Sequence, residues 1–379
     1  MPSSRARMGV VIAILVLAVL LLLAGARVRS VTSAAAMERR LLAALGATGD
    51  SLYRVRVGSS RLSILGRRYL ATGIEIVPDS AAFRRRREAG APVRTRYALR
   101  AGSFLVTGLD VWGLFTHRLA AERAVADSLV MEVYLDRTTP MPLDSVRRLP
   151  HEFFRTIHQP FRLDTFRIEH GEIRYSERAV DGARPGTIRF ANSRIGVYNL
   201  NNDLRRPDVP VVIDVHTLLA GMAPTTALFQ YDFRAPALNL VYEGSVGDLD
   251  AERLNTMTVD LEGMRLTAGH LDSAWFKFRV KDGVADGEMV MKYRRLHAEF
   301  VDKVTRDRGF SEWIKSLMAN AFAIKGHNRS DGDHTLRTAS IRRFPRTADL
   351  PFAKYVWHTL RQGIFLTVTG EPPTPSRAP

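Results

Sequence analysis

The chain contains no cysteine among its 379 residues. Disulfides, thiol nucleophiles and thiolate metal sites are therefore excluded, and the composition is compatible with an oxidising compartment. Lysine is scarce as well: seven of the 55 basic residues are Lys and the rest are Arg. Acidic residues number 39, which leaves a formal net charge of +16. Such an excess favours anionic surfaces, among them phospholipid headgroups and lipid A phosphates. Nucleic acid is the other partner that a basic chain suggests; the membrane anchor described next would hold this one out of its reach, so no nucleic-acid partner is expected. The sequence also lacks a GxSxG elbow, an HExxH pair and a Walker loop. No enzyme activity and no cofactor are expected from it.

What is present begins with an uncharged apolar run, Met8–Ala26. As a helix, 19 residues span roughly 28 Å, close to the thickness of a bilayer core. The run reads as a retained transmembrane anchor, with residues 1–7 as a short cytoplasmic tail. A cleaved signal peptide is the alternative, since Arg5 and Arg7 supply a basic start and Ala24-Gly25-Ala26 has the small-x-small form of a cleavage site. Residues 27–48 read as a juxtamembrane helix stopped by Gly46.

Beyond residue 48 the hydrophobic period changes from helical to two. Residues 49–143 form an N-terminal β-rich portion, with strands at 53–57, 71–77, 94–99, 103–109 and 129–135. A charged loop is expected over Phe83–Pro92 and a short helix over 111–121. Residues 144–370 read as a β-meander: an opening helix at 144–158, then strands at 164–169, 172–177, 187–191, 194–198, 209–216, 227–234, 238–246, 258–267, 273–281, 286–293 and 295–302. Helices follow at 310–323 and 352–361, and residues 371–379 form a disordered tail. The predicted fold class is mainly β with minor α: a transmembrane helix, then a long curved antiparallel sheet.

Alternation is cleanest late in the chain. Phe229, Tyr231 and Phe233 oppose Gln230, Asp232 and Arg234; Phe276 and Phe278 oppose Lys277 and Arg279; Met289, Met291 and Tyr293 oppose Glu288, Lys292 and Arg294. A sheet with one apolar and one wet face must have the apolar one covered, by its own curl, by a partner or by an apolar ligand. These eight apolar residues are the candidate lining of a lipid groove, although a closed β-core has the same pattern.

Polar clusters carry less. His151 and His158 stand about 10 Å apart on a helix, too far for one zinc, with Glu152 beside the first. Asp282, Asp286 and Glu288 read as a hairpin turn before a calcium loop. Asp331, Asp333 and His334 read as a surface loop, and Asn199, Asn201, Asn202 and Asp203 as Asx-type turns. Trp275 sits on the charged face. No metal site is expected.

The order of these parts resembles the AsmA-like family of bacterial envelope proteins. The segments that carry the likeness are FLVTGLDVWGLFTHRLAAERAVADSLVMEVYLD, FRLDTFRIEHGEIRYSE with TIRFANSRIGVYNLNND, and LTAGHLDSAWFKFRVKDGVADGEMVMKYRRLHAEF. The resemblance implies a single-pass inner-membrane protein with its C-terminal domain in the periplasm. It also implies a taco-like β-groove that holds the acyl chains of a phospholipid, with a role in lipid transfer or outer-membrane assembly. A structural protein with a closed β-core that binds other envelope proteins is the alternative.

Overall fold

The computed structural model describes residue 35 and residues 52–370, except 116–117, 140–148, 158, 180–183, 203–208, 301–323, 331–334 and 349. The expected tail, anchor and almost all of the juxtamembrane helix lie outside these residues. So do the helix at 310–323, the end at 371–379, and His158, Asp203, Asp331, Asp333 and His334. Among the described residues no helix is long and apolar enough to cross a membrane.

The chain is mainly β, 60% strand and 18% helix, in one large curved open sheet of 13 strands. The strands are β1 (Tyr53–Ser63), β2 (Arg68–Pro78), β3 (Thr95–Thr107), β4 (Leu119–Asp136), β5 (Phe161–Arg178), β6 (Gly186–Asn201), β7 (Val211–Leu219), β8 (Ala223–Asp232), β9 (Asn239–Val246), β10 (Leu249–Asp250), β11 (Met264–Lys281), β12 (Val284–Phe300) and β13 (Thr338–Pro345). They lie in chain order, with β11 beside β9 and the short β10 pairing off the path on β11. The described α-helices of five or more residues are α1 (Ser80–Glu88), α2 (Val111–Phe115), α3 (Pro150–Phe154), α4 (Asn255–Glu262) and α5 (Phe352–Thr369).

One pairing departs from the expected antiparallel sheet: β4 and β5 are parallel. A parallel pair requires a long return between Asp136, where β4 ends, and Phe161, where β5 begins, and a hairpin does not. The two β-rich portions read from the sequence thus contribute to a single sheet.

Several expected strands are fused. The expected strands at 94–99 and 103–109 fall in β3 over 95–107, those at 164–169 and 172–177 in β5, those at 187–191 and 194–198 in β6, and those at 286–293 and 295–302 in β12 as far as Phe300. The sequence suggests a turn in each case because a glycine or polar pair breaks the alternation. In most of these strands the break is instead a residue in the left-handed region within a continuous strand: His170 (φ 51°), Asn192 (φ 47°) and Arg295 (φ 50°), with Ser128 (φ 53°) in β4. Gly58 and Gly73 are passed over in the β1–β2 ladder, Gly102 in the next, and Ser128 and His170 in the two after that. These positions follow one another strand by strand and form a crease across the sheet. Along each strand the inward positions step by two and then once by three: Leu99 and Ala101, then Phe104 and Val106; Ala124 and Ala126, then Leu129 and Met131. An extra residue bends and twists its strand, so a line of them curls the sheet while its apolar side chains stay on one face.

Other boundaries also differ. The expected loop at 83–92 begins as helix α1, capped by Asp79, whose Oδ1 accepts from the backbone N–H of Ala81 at 2.9 Å and Ala82 at 3.1 Å. Arg85, Arg86 and Arg87 occupy its last turn, where cations suit the helix dipole. Helix α2 ends at Phe115 and β4 already begins at Leu119. Residues 255–262 are helical, not strand, and end at Gly263 with φ 58°. Strand β13 adds an element between the two expected C-terminal helices, and α5 continues eight residues past the expected end to the left-handed Gly370.

The apolar face carries two main cores. One joins inward residues of β1–β7, from Val55 through Phe166 to Val211, with Phe154 of α3 at its edge. The other joins β8–β13 to α5.

Candidate functional site

Helix α5 lies on the apolar face of β12 and β13 because its sequence gives it little to show to water. Tyr355, Val356, Phe365 and Val368 are buried, and so are Thr359, Thr367 and Thr369. Each threonine hydroxyl donates to the carbonyl four residues back, at 3.0, 2.8 and 2.9 Å, so none is buried without a partner. Gly363 is the point of closest approach: a Cβ there would stand 2.9 Å from Met289 Sδ.

The eight candidate groove residues do share this face. Cross-strand registry sets Phe229 opposite Tyr242, Tyr242 opposite Phe278, and Phe278 opposite Gly287. Tyr231 and Phe278 are fully buried, and Phe276, Met289 and Tyr293 nearly so; Phe229, Phe233 and Met291 are partly buried. Tyr231 stacks on Phe352 of α5 at 5.4 Å and meets Phe233 edge-on at 4.6 Å. Its hydroxyl lies 2.6 Å from His151 Nδ1. Burial pushes the Tyr231 hydroxyl up and the His151 imidazole down in pKa, so both are held neutral. His151 is therefore a core residue at the foot of α3. Phe278 stacks on Tyr242 at 5.1 Å, and Tyr293 receives Arg337 Nη2 at 3.1 Å while donating to the Lys325 carbonyl. At this end the apolar face is packed against protein.

A different arrangement stands where β3 begins and β4 and β5 end. Tyr97, Val133 and Tyr175 form one cross-strand row, and Leu99, Met131 and Ile173 the next. Tyr97, Ile173 and Tyr175 remain only partly buried. Directly beyond them Tyr175 donates to the Glu177 carboxylate, and Arg137 Nη1 lies 3.3 Å from Glu177 Oε1. Burial and the Glu177 charge raise the Tyr175 pKa. From the other side comes Lys354 of α5. Burial lowers its pKa; Glu177 opposes that shift, whereas Arg137, Arg94 and Arg361 reinforce it. Lys354 thus feels three arginines and one carboxylate at the edge of an apolar surface, with Arg137 and Glu177 in direct contact. No sequence motif marks these five, because they come from four separate segments: the start of β3, the end of β4, the end of β5 and α5.

Among the described residues no group of three or more His, Asp or Glu side chains could hold a metal ion. Asp286 Oδ1 accepts from the Arg343 backbone N–H at 2.9 Å, which ties β12 to β13. Asn202 fastens the start of β5, accepting from Phe161 N and donating to the carbonyls of Ile157 and Gln159. Asn199 donates to the Pro210 carbonyl. Trp275 is 40% exposed on the polar face. Two shallow cavities, about 380 and 330 Å³, are lined largely by charged residues, the first around Lys277, Arg279 and Arg342 and the second around Arg54, Arg56 and Arg100.

No protein-family profile and no curated protein matches this chain.

Proposed function

We propose that the protein is a non-enzymatic, single-anchor envelope protein that handles an anionic phospholipid on the apolar face of its curved sheet. In this reading Met8–Ala26 holds the chain in the bacterial inner membrane and the sheet lies in the periplasm, as the AsmA-like resemblance implies. One observation carries it: the partly buried rows of Tyr97, Ile173 and Tyr175 lead directly to Arg94, Arg137, Lys354 and Arg361. Acyl chains suit the rows and a headgroup phosphate suits the cations. The lipid site is thereby moved from β8–β12, where α5 occupies the face, to the ends of β3–β5. Lipid extraction and mass spectrometry of the purified full-length chain is the test. Phospholipid should co-purify with the wild type and be lost from Lys354→Glu and Arg137→Glu chains that still fold. A wild type free of lipid, or charge-reversed variants that retain it, would defeat the proposal.

A second reading rests on the full burial of Tyr231 and Phe278 beneath α5. A closed core of that kind suits a scaffolding protein that binds other envelope proteins and carries no lipid.

A further inference from the structure

The turn between β1 and β2 carries Leu65, 99% exposed, and Ile64, 50% exposed; beside it α2 carries Trp112, 82% exposed. The two segments are fastened together. Leu109 N–H donates to the Arg67 carbonyl at 2.9 Å, while Arg67 returns two side-chain bonds, Nε to Leu109 O and Nη2 to Gly108 O, both at 3.2 Å. Gly66 N–H donates to Ser63 Oγ at 3.1 Å. The apolar side chains are thus held outward by a structured turn. Arg61, Arg67, Arg68 and Arg118 are exposed around them; two acidic residues lie nearby, Glu122 at 3.6 Å from Arg67 and Asp110, whose Oδ1 accepts from Gly113 N–H at 2.9 Å.

We infer that this tip is a membrane-docking surface that inserts Leu65, Ile64 and Trp112 into the interface of a lipid bilayer. The area decides between a bilayer and a protein. Three side chains offer a few hundred Å² at most, well below the roughly 800 Å² per partner of a stable protein interface. A bilayer interface needs no such area: tryptophan suits the headgroup level, leucine and isoleucine the acyl boundary, and arginines the anionic headgroups. Strand β1 runs from Tyr53 to Ser63, so the tip lies at the far end of that strand from Tyr53, where the chain enters it. The inference is independent of whether the curved face holds lipid.

The test uses the full-length chain in nanodiscs, with separate phosphatidylethanolamine–phosphatidylglycerol vesicles that alone carry a nitroxide quencher. The absence of native cysteine allows a single fluorophore at Leu65→Cys, with Arg56→Cys on the sheet flank as control. The added vesicles should quench the label at 65 and leave that at 56 unchanged. Co-flotation of the discs with the vesicles should fall by roughly tenfold in Trp112→Asp and in Leu65→Asp, both exposed sites that leave the thermal melt unchanged. Failure of the vesicles to quench at 65, equal quenching at 56, or undiminished co-flotation of both folded variants would overturn the inference. So would capture of a protein at the tip without vesicle quenching.

Discussion

Replacing Phe278 by Ala tests whether the late half of the apolar face is protein core or an open lining. The ring is fully buried, stacked on Tyr242 at 5.1 Å, and seated over Gly287, where a Cβ would approach its Cδ1 to 2.5 Å. Helix α5 closes the other side of this cluster. Truncation removes the transfer free energy of the ring and leaves a cavity that the stiff strands on either side cannot fill. Such changes cost about 3–5 kcal/mol, a large share of the 5–15 kcal/mol by which a typical domain is stable. Leu65→Ala, at a site 99% exposed, should stay within about 0.5 kcal/mol of wild type. Urea unfolding of the full-length chain, followed by tryptophan fluorescence, measures both, with equal slopes required for the comparison. Phe276→Asp should cost more still, because it takes a carboxylate out of water into a buried apolar cluster. A loss below about 1 kcal/mol for Phe278→Ala would refute the packed-core account, since only an open face leaves so small a penalty.

Three further outcomes are expected. Gly287→Ala should destabilise by about 1–3 kcal/mol in the same urea assay, because its Cβ would meet the Lys277 backbone carbonyl oxygen first and the Phe278 ring next. At the crease, Asn192→Val should cost about 1–2 kcal/mol and Asn192→Gly almost nothing, since φ is 47° there and a β-branched residue tolerates it poorly. His270 lies 2.9 Å from Asp250 and 2.8 Å from Asp248, and hydrogen bonds to these two carboxylates raise its pKa above the ordinary 6.5. The contribution of this clamp is therefore complete below the unfolded imidazole pKa and is lost as pH rises through the higher folded value. Amide exchange of β10 against pH should show that loss, and His270→Gln should abolish its pH dependence.

Period-two alternation marked most of the strands and their apolar face, because burial on one side of a pleated sheet leaves that trace in a sequence, although it missed β13 and took part of α4 for a strand. Phe276, Phe278, Met289 and Tyr293 could be assigned to one surface on that ground alone. The crease could not be told from a set of turns: His170-Gly171 and Asn192-Ser193 look like loop residues, and only pairing with the next strand shows that the chain passes through them as one bent strand. The covering of the face was equally hidden. Alternation records that side chains leave water, not what removes them from it, and α5 reaches β12 from some sixty residues further along the chain. Arg94, Arg137, Glu177 and Lys354 are ordinary charges in sequence. The parallel return to β5 sets Glu177 beside Arg137, and α5 brings Lys354 to them, so that cluster exists only through tertiary contact between segments that carry no shared local signal.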